Sequence, residues 1–290
     1  MNDHDRAQAL LQLLDLETID RDLFRGAKDP LAEGRVFGGQ VVAQALMAAT
    51  RTVGEERAAH SLHAYFVRPG DDAHPIIYHV DRDRDGGSFS NRRVVAQQNG
   101  ETILNMIASF HIEEEGFHHA ADMPDVPQPE DLPTEAEMAA NIPDLPERFR
   151  AWFTRPRSVE IRRENFDAFL GRKMAPQQNM WFRLVGSSPP AAAINRAVLA
   201  YASDFALLGT ALLPHGVHWS HGNLRSASID HAVWFHAAPS IGDWHLYTMD
   251  SPWSGGARGF ARGRIYSRDG RLVASTAQEG LMRFRPKSTE

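Results

Sequence analysis

Phe37-Gly38-Gly39-Gln40-Val41-Val42-Ala43 and Tyr201-Ala202-Ser203-Asp204-Phe205-Ala206-Leu207 are the two stretches on which the reading of this chain turns. Each lies in an apolar helical pattern, the first running on through Met47. A strand-like run follows each: Ser61–Val67 after the first, and Ser228–Phe235 after the second. Then come Gly86-Gly87 and Gly255-Gly256, each ahead of an Arg-rich strand. Those strands end in Asn99-Gly100 and Asp269-Gly270, dipeptides that tolerate the positive φ of tight hairpins. Final strands span Thr102–Ile112 and Arg271–Phe284. The chain therefore repeats itself.

Each half predicts an early strand, one central helix and several antiparallel strands, an α+β arrangement with the helix on one sheet face. The second helix is apolar on more than one stripe (Ile194, Val198, Leu199, Tyr201, Phe205, Leu208) and needs a concave sheet to bury it. Ferredoxin-like halves, with two helices each, fit less well. Between the halves, seven prolines from Pro124 to Pro156 stand among acidic residues. They predict an extended connector with one short helix near Thr134–Ala140. The expected organisation is an N-terminal domain over 1–115, a Pro-rich acidic linker over 116–157 and a C-terminal domain over 158–290.

At 290 residues, 42% hydrophobic and 23% charged, the composition is that of a globular protein. A net charge of −6 argues against nonspecific nucleic-acid binding, which needs a broad basic surface. There are no cysteines, which removes disulfides, thiolate metal sites and a cysteine nucleophile, and suits a reducing cytoplasm. The acidic N-terminus is a poor signal peptide, and no stretch reads as the ~20 apolar residues of a membrane span. A cytoplasmic protein without membrane insertion is expected.

Structural features should recur in both halves, whereas one active site need not. Aligned as above, Asp204 falls opposite Gln40, and Gln278 opposite Ala108. Asp204 lies in a very apolar segment, where a carboxylate costs several kcal/mol unless donors satisfy it. Alternation in Leu272–Gly280 puts Gln278 on a small, apolar face with Leu272, Ala274 and Thr276, while Glu279 points the other way. Ser228 begins the following strand and offers a hydroxyl. A carboxylate held by a hydroxyl and an amide can orient a water and take its proton. Taken alone, Asp204 reads equally well as a helix cap or satisfied buried carboxylate.

Several motifs together resemble the acyl-CoA thioesterase II family over nearly the whole chain. They are Gly34-Arg-Val-Phe-Gly-Gly-Gln40, Ser203-Asp204, Ser228-Ile-Asp-His-Ala-Val-Trp-Phe-His236, Ala257-Arg-Gly-Phe-Ala-Arg-Gly263 and Val273-Ala-Ser-Thr-Ala-Gln-Glu-Gly280. The resemblance implies a tandem (double) hot-dog fold, each half an antiparallel sheet wrapped around a central helix. It implies acyl-CoA as substrate, a homo-oligomer and no cofactor. An Asp, a Ser or Thr, and a Gln hold the attacking water in that family, and they map onto Asp204, Ser228 and Gln278. The implied reaction is direct hydrolysis without an acyl-enzyme. Gly39, at the start of the first helix, is the oxyanion candidate, since a helix N-terminus presents free N–H groups. Arg258, Arg262 and Arg264 are candidates for CoA phosphates, although alternating arginines on a strand also describe a solvated face.

His215, His218 and His221 invite a metal reading, but their spacing in a Gly-rich loop does not put all three on one side, and no acidic ligand joins them. No metal is expected. Asp230 and His231 are strand neighbours facing opposite ways, which spoils them as a dyad and leaves His231 a structural role. No Gly-x-Ser-x-Gly elbow or nucleotide phosphate loop is present. Two other functions share this fold. Hot-dog enoyl-CoA hydratases resemble an Asp with a His about five residues on, where this chain has Gly209. A noncatalytic acyl-CoA-binding protein is the other, and the full Asp-Ser-Gln set argues against it.

Overall fold

Alternating burial along the strands and all-round burial of two helices together dictate the architecture. In the computed structural model, residues 2–29, 34–143, 145, 147–164, 167–186, 191–217 and 224–284 are described. The first half runs α1 (Asp3–Leu14), β1 (Glu17–Asp20), β2 (Leu23–Gly26), α2 (Gly38–Thr50), β3 (Arg57–Phe66), β4 (Ile76–Asp85), β5 (Phe89–Gln98) and β6 (Glu101–Ile112). Two short helices follow, α3 (Glu135–Ala140) and α4 (Glu147–Thr154). The second half opens with β7 (Val159–Arg163), β8 (Gln177–Leu184), α5 (Ala192–Ser203) and α6 (Leu207–Thr210). It closes with β9 (Leu224–Ser228), β10 (Asp230–Phe235), β11 (His245–Gly255), β12 (Arg258–Ser267) and β13 (Leu272–Phe284).

All strands join one antiparallel sheet in the order β1-β2-β4-β5-β6-β3-β10-β13-β12-β11-β8-β7, with β9 also on β13. Outward from the β3–β10 seam, both halves follow the same sequence of strands: helix-following, last, second-last, third-last, and so to the edge. The seam is in register at Leu62↔Val233 and Ala64↔His231. The α+β, tandem hot-dog expectation is met by this single sheet with a central helix in each half.

Helix α2 is apolar nearly all round, and every residue from Gly39 to Ala49 is buried, as suits a core helix. Its N-terminus packs on the C-terminal end of α5. Phe37 stacks on Phe205 and meets Tyr201 edge-on, both with ring centroids 5.0 Å apart. A Cβ on Gly39 would run into the Tyr201 carbonyl and the Phe37 ring. The two opening stretches are therefore neighbours in space and not equivalents. Gly38-Gly39-Gln40 opens α2, whereas Ser203-Asp204 closes α5, so Asp204 corresponds to Arg51, the C-cap of α2, and not to Gln40. Helices buried on all sides carry no phase marker in their sequence, which let the alignment slip by most of a helix length.

The strands hold closer to expectation. Asn99 and Gly100 take φ of 50° and 79°, a two-residue hairpin, whereas in the second turn only Gly270 is left-handed, at 90°. The run Ser228–Phe235 is broken at Ile229, where pairing to β13 shifts by one residue, so Ser228 ends β9 instead of beginning the longer strand. A second shift, between Ile265 and Tyr266, sends Leu272 to the outer face, away from Gln278.

The proline-rich segment contains the expected short helix, with a capping box from Thr134 and Glu137. It is more than a connector. Met123, Val126 and Leu132 pack over Trp181, Trp244, Leu246 and Tyr266 on the outer face of the second half. Trp181 Nε1–H donates to the Pro127 carbonyl at 2.9 Å, and the Tyr266 hydroxyl to the Asp122 carbonyl at 3.1 Å. A strap held by side chains needs no ladder N–H, so proline is tolerated there. Ala192–His215 has the length and composition to cross a membrane, contrary to the sequence reading, but it is mostly buried and breaks after Ser203.

Because Gly39 meets backbone, Gly39→Ala should lower stability by about 1–3 kcal/mol. Gly209→Ala, where an added Cβ meets nothing within 4 Å, should leave it unchanged or raised. Urea midpoints of both variants against the parent test this, and equal midpoints would refute the close helix approach.

Candidate active site

Asp204 is the C-cap of α5, and the chain leaves the helix through Ala206, held in the left-handed region at φ 64°. A carboxylate at a helix C-terminus sits at the negative end of the dipole, so the Asp204 side chain does not stabilise the helix end. Its compensation comes from elsewhere. Gln278 Nε2–H donates to Asp204 Oδ1 at 2.7 Å. From the other half, the N-terminus of α2 approaches: a Cβ built on Gly38 would lie 2.7 Å from Asp204 Oδ2. The positive end of α2 thus faces the carboxylate that α5 disfavours. Gln40 and Val41 N–H both turn back to the Phe37 carbonyl, and no described group accepts from Gly38 or Gly39 N–H.

Gln278 projects from β13 and is 1% exposed. Its Nε2 also lies 3.1 Å from His231 Nδ1, while its Oε1 is out of solvent with no described partner. His231 is fully buried, and its Nε2 is 2.8 Å from Ser203 Oγ, whose own proton goes to the Ala200 carbonyl at 2.9 Å. Tyr247 donates to the Ser203 carbonyl at 2.9 Å, and burial pushes its phenol far above the usual range. Sequence reasoning gave Ser203 no role beyond its place in the Ser203-Asp204 motif, passed over Tyr247 and left His231 structural. The available signal was the one applied to Asp204: an imidazole on the buried face of an apolar strand also needs partners.

Sheet register confirms that Gln278 and Ala108 correspond. Arg92, Ala108 and Leu62 are cross-strand neighbours in the first half. In the second, Ala261 lies opposite Gln278, and His231 beside it. The first half thus carries Leu62 and Ala108 where the second has His231 and Gln278. It also fills its site with Arg92, 1% exposed, which donates to Thr52 Oγ1 at 2.8 Å just beyond the end of α2.

The other expected residues divide. Ser228 pairs with Gly280, which places it on the same sheet face as Gln278, one alternation further along, and no described residue takes up its hydroxyl. Gly39 lies in the helix N-terminus beside Asp204. The arginines do not join them. Ala261 faces Gln278, so Arg262, opposite Ala277, points to the other side of the sheet, as do Arg258 and Arg264. Arg258 pairs with Glu279 and Arg262 with Asp250, both at 3.0 Å, and Arg262 and Arg264 line an outer groove of about 640 Å³ with Asp122, Glu164 and Asp250. Alternation separates them from Asp204 and Gln278, so the solvated-face reading is the one that fits.

His218 and His221 lie outside the described residues, and His215 Nε2 is 2.8 Å from Ser254 Oγ. Among the described residues no cluster of three His, Asp or Glu has metal-binding geometry. Asp230 accepts from Glu279 N–H on the face opposite His231, so the two form no dyad. Burial raises the Asp230 carboxyl above its ordinary range.

Comparison with known proteins bears on the family and the fold. Residues 149–281 match the acyl-CoA thioesterase family model, and residues 27–111 the acyl-CoA thioesterase N-terminal domain model. Acyl-CoA thioesterase 2 of Haemophilus influenzae is 43% identical, over 95% of this chain and 97% of its own. The structure of acyl-CoA thioesterase II TesB2 from Mycobacterium marinum superposes with TM-score 0.77 at 38% identity, covering 95% of this chain and 98% of that one. A hot-dog protein of unknown function from Alicyclobacillus acidocaldarius shares the fold at TM-score 0.76 and 22% identity, over 95% and 98% of the two chains.

Burial holds the His231 imidazole below its ordinary value of 6.5, with Asp204 and Asp230 opposing the shift, and burial lowers His60, His236 and His245 as well. A depressed folded value means that the unfolded chain takes up protons first. The stability these groups contribute is complete above about pH 6.5 and is lost as pH falls through their folded values. The urea midpoint should therefore drop between about pH 7 and pH 5.5 and stay level from about pH 7 to 8. A midpoint that holds level down to the lower pH would contradict the buried, neutral histidines.

Proposed function

The chain belongs to the acyl-CoA thioesterase family, and on that premise we propose that it hydrolyses fatty acyl-CoA to free fatty acid and CoA by direct attack of water held at Asp204, Gln278 and Ser228. The observation that carries this reading is the 2.7 Å bond from Gln278 Nε2–H to Asp204 Oδ1, made beside the N-terminus of the opposite helix. One amide hydrogen fixes the carboxylate. The remaining carboxylate oxygen and the unpaired Gln278 Oε1 are two acceptors that can take both hydrogens of one water, leaving its lone pair free. Ser228, on the same sheet face, supplies a hydroxyl to the same region.

The water oxygen bonds to the thioester carbonyl carbon as Asp204 takes a proton from it. Negative charge gathers on the carbonyl oxygen, where Gly39 N–H, with Gly38, supplies unpaired donors and the positive end of a helix. Collapse of the tetrahedral species breaks the carbon–sulfur bond. The proton held by Asp204 passes to the departing thiolate, giving CoA and the free acid and restoring the carboxylate. No covalent intermediate with the protein is formed, and Ser228 keeps its proton.

Asp204→Asn should lower kcat by about 10²–10⁴-fold, the range for loss of a positioned general base, with acyl-CoA binding nearly intact. Free CoA release by stopped assay and calorimetric binding of an acyl-CoA measure the two, and retained turnover would overturn the assignment. Mass spectrometry during turnover should find no acyl group on Ser228. An acylated Ser228 would replace direct hydrolysis with a two-step mechanism.

A further inference from the structure

We infer that His231 is a positioning residue, whose imidazole, together with Asp204, holds the Gln278 amide with its nitrogen toward the carboxylate and thereby sets how the reacting water is held. The inference rests on the hydrolytic reading of Asp204 and Gln278.

The oxygen and nitrogen of a glutamine amide have nearly the same shape, so packing alone does not choose between its two orientations. Hydrogen bonding does. Asp204 Oδ1, 2.7 Å from the amide, accepts only, so the nitrogen must face it. That nitrogen carries a second hydrogen, directed at His231 Nδ1 at 3.1 Å, which must then offer a lone pair. The imidazole proton is left on Nε2, and Ser203 Oγ receives it at 2.8 Å, because the serine proton is committed to the Ala200 carbonyl at 2.9 Å. Asp204 at one end and Ser203 at the other demand the same tautomer. The bonds run in one direction, from Gln278 through His231 and Ser203 to Ala200, and chains of this kind reinforce one another. They begin beside Asp204 and end one turn earlier on the same helix, so the amide is referenced to the element that carries the carboxylate.

The consequence falls on Gln278 Oε1. With both hydrogens of Nε2 spent, the oxygen is turned to the remaining side, buried and without a described partner, as an acceptor for a water hydrogen. If the amide reversed, its oxygen would face the Asp204 carboxylate, and its NH₂ would donate to the water and occupy the lone pair needed for attack. The first half shows what the sheet accepts at this place without such a chain: Leu62, next to Ala108.

The test uses His231→Leu, His231→Asn and His231→Gln in the full-length protein, with kcat and KM from CoA release and thermal unfolding measured alongside. An Asn amide sets its oxygen where Nδ1 stood and keeps the acceptor for Gln278. A Gln amide reaches the Nε2 position and keeps the bond to Ser203, but offers no acceptor at Nδ1. His231→Leu and His231→Gln should lower kcat by about 10- to 100-fold, a typical cost of a misplaced group, with KM changed less than about threefold. His231→Asn should recover about tenfold of that loss. In a Gln278→Ala background, His231→Leu should cost nothing further, because its effect runs through the amide. The inference is overturned if Asn is no better than Gln at this position, or if the Leu loss persists undiminished in the Gln278→Ala background. If His231→Leu fails to fold, the Asn and Gln pair decides. Asp204→Asn separates the two levels: an active Asp204→Asn removes the hydrolytic reading itself, whereas an inactive one with Asn and Gln equal at 231 removes only the role of His231.

Discussion

A half-buried carboxylate at the C-terminal end of a buried helix needs donors from the protein, and the architecture around Asp204 answers that need. The dipole of α5 works against the charge, and the surrounding side chains are apolar. Asp204 is only partly exposed, so fixed donors supplement what solvent supplies. Gln278 comes from the adjacent strand, and the N-terminus of α2 from the opposite half. The second of these needs two glycines, because Gly38 faces the carboxylate and Gly39 the Tyr201 carbonyl. The same approach that packs the helices thus tunes the site, and a larger residue at either position would disturb both.

Why two similar halves yield one site is answered along the sheet. The seam between β3 and β10 places the halves in matching register, so each has a location between its last strand, its helix-following strand and its helix end. In the second half that location holds His231, Gln278 and Asp204. In the first it holds Leu62 and Ala108, with Arg92 reaching Thr52 beyond the end of α2. A buried guanidinium satisfied by a hydroxyl, three backbone carbonyls and Asp85 leaves no acceptor facing a carboxylate or a water. The symmetry is one of backbone, and the chemistry departs from it residue by residue.

Much of this was legible in the sequence, for reasons that differ from element to element. The strands and the Asn99-Gly100 turn were readable because period-two burial and positive φ leave strong local marks. Gln278 was found by the same alternation, and its counterpart Ala108 survived comparison with the register. The helices were harder, since burial on every side erases the periodicity that would fix their ends, and Asp204 was paired with Gln40 as a result. The register shifts at Ile229 and Val273 were not legible at all. The first depends on how two distant strands settle against each other, the second is a bulge inside the β12–β13 hairpin, and each changed the placement of a residue, Ser228 in one case and Leu272 in the other. The proline-rich strap misled through composition: its lack of ladder bonds was correctly read, but the side-chain donors that anchor it, Trp181 and Tyr266, lie far away in the sequence.

These placements bear on how the two halves depend on each other. Asp204 and the Gln278 amide lie in the second half, yet the donors beside them begin α2 in the first. Separating the halves would leave Asp204 facing the negative end of its own helix without the opposing positive end, and would expose the two helices that bury each other. The continuous sheet therefore does more than join two copies of a fold. Seam strand β10 carries His231 two residues before Val233, which pairs with Leu62, so the pairing that fuses the halves also fixes the imidazole against Gln278. Fold closure and site geometry are consequences of one register, and a slip of a single residue there would turn His231 to the outer face and undo both.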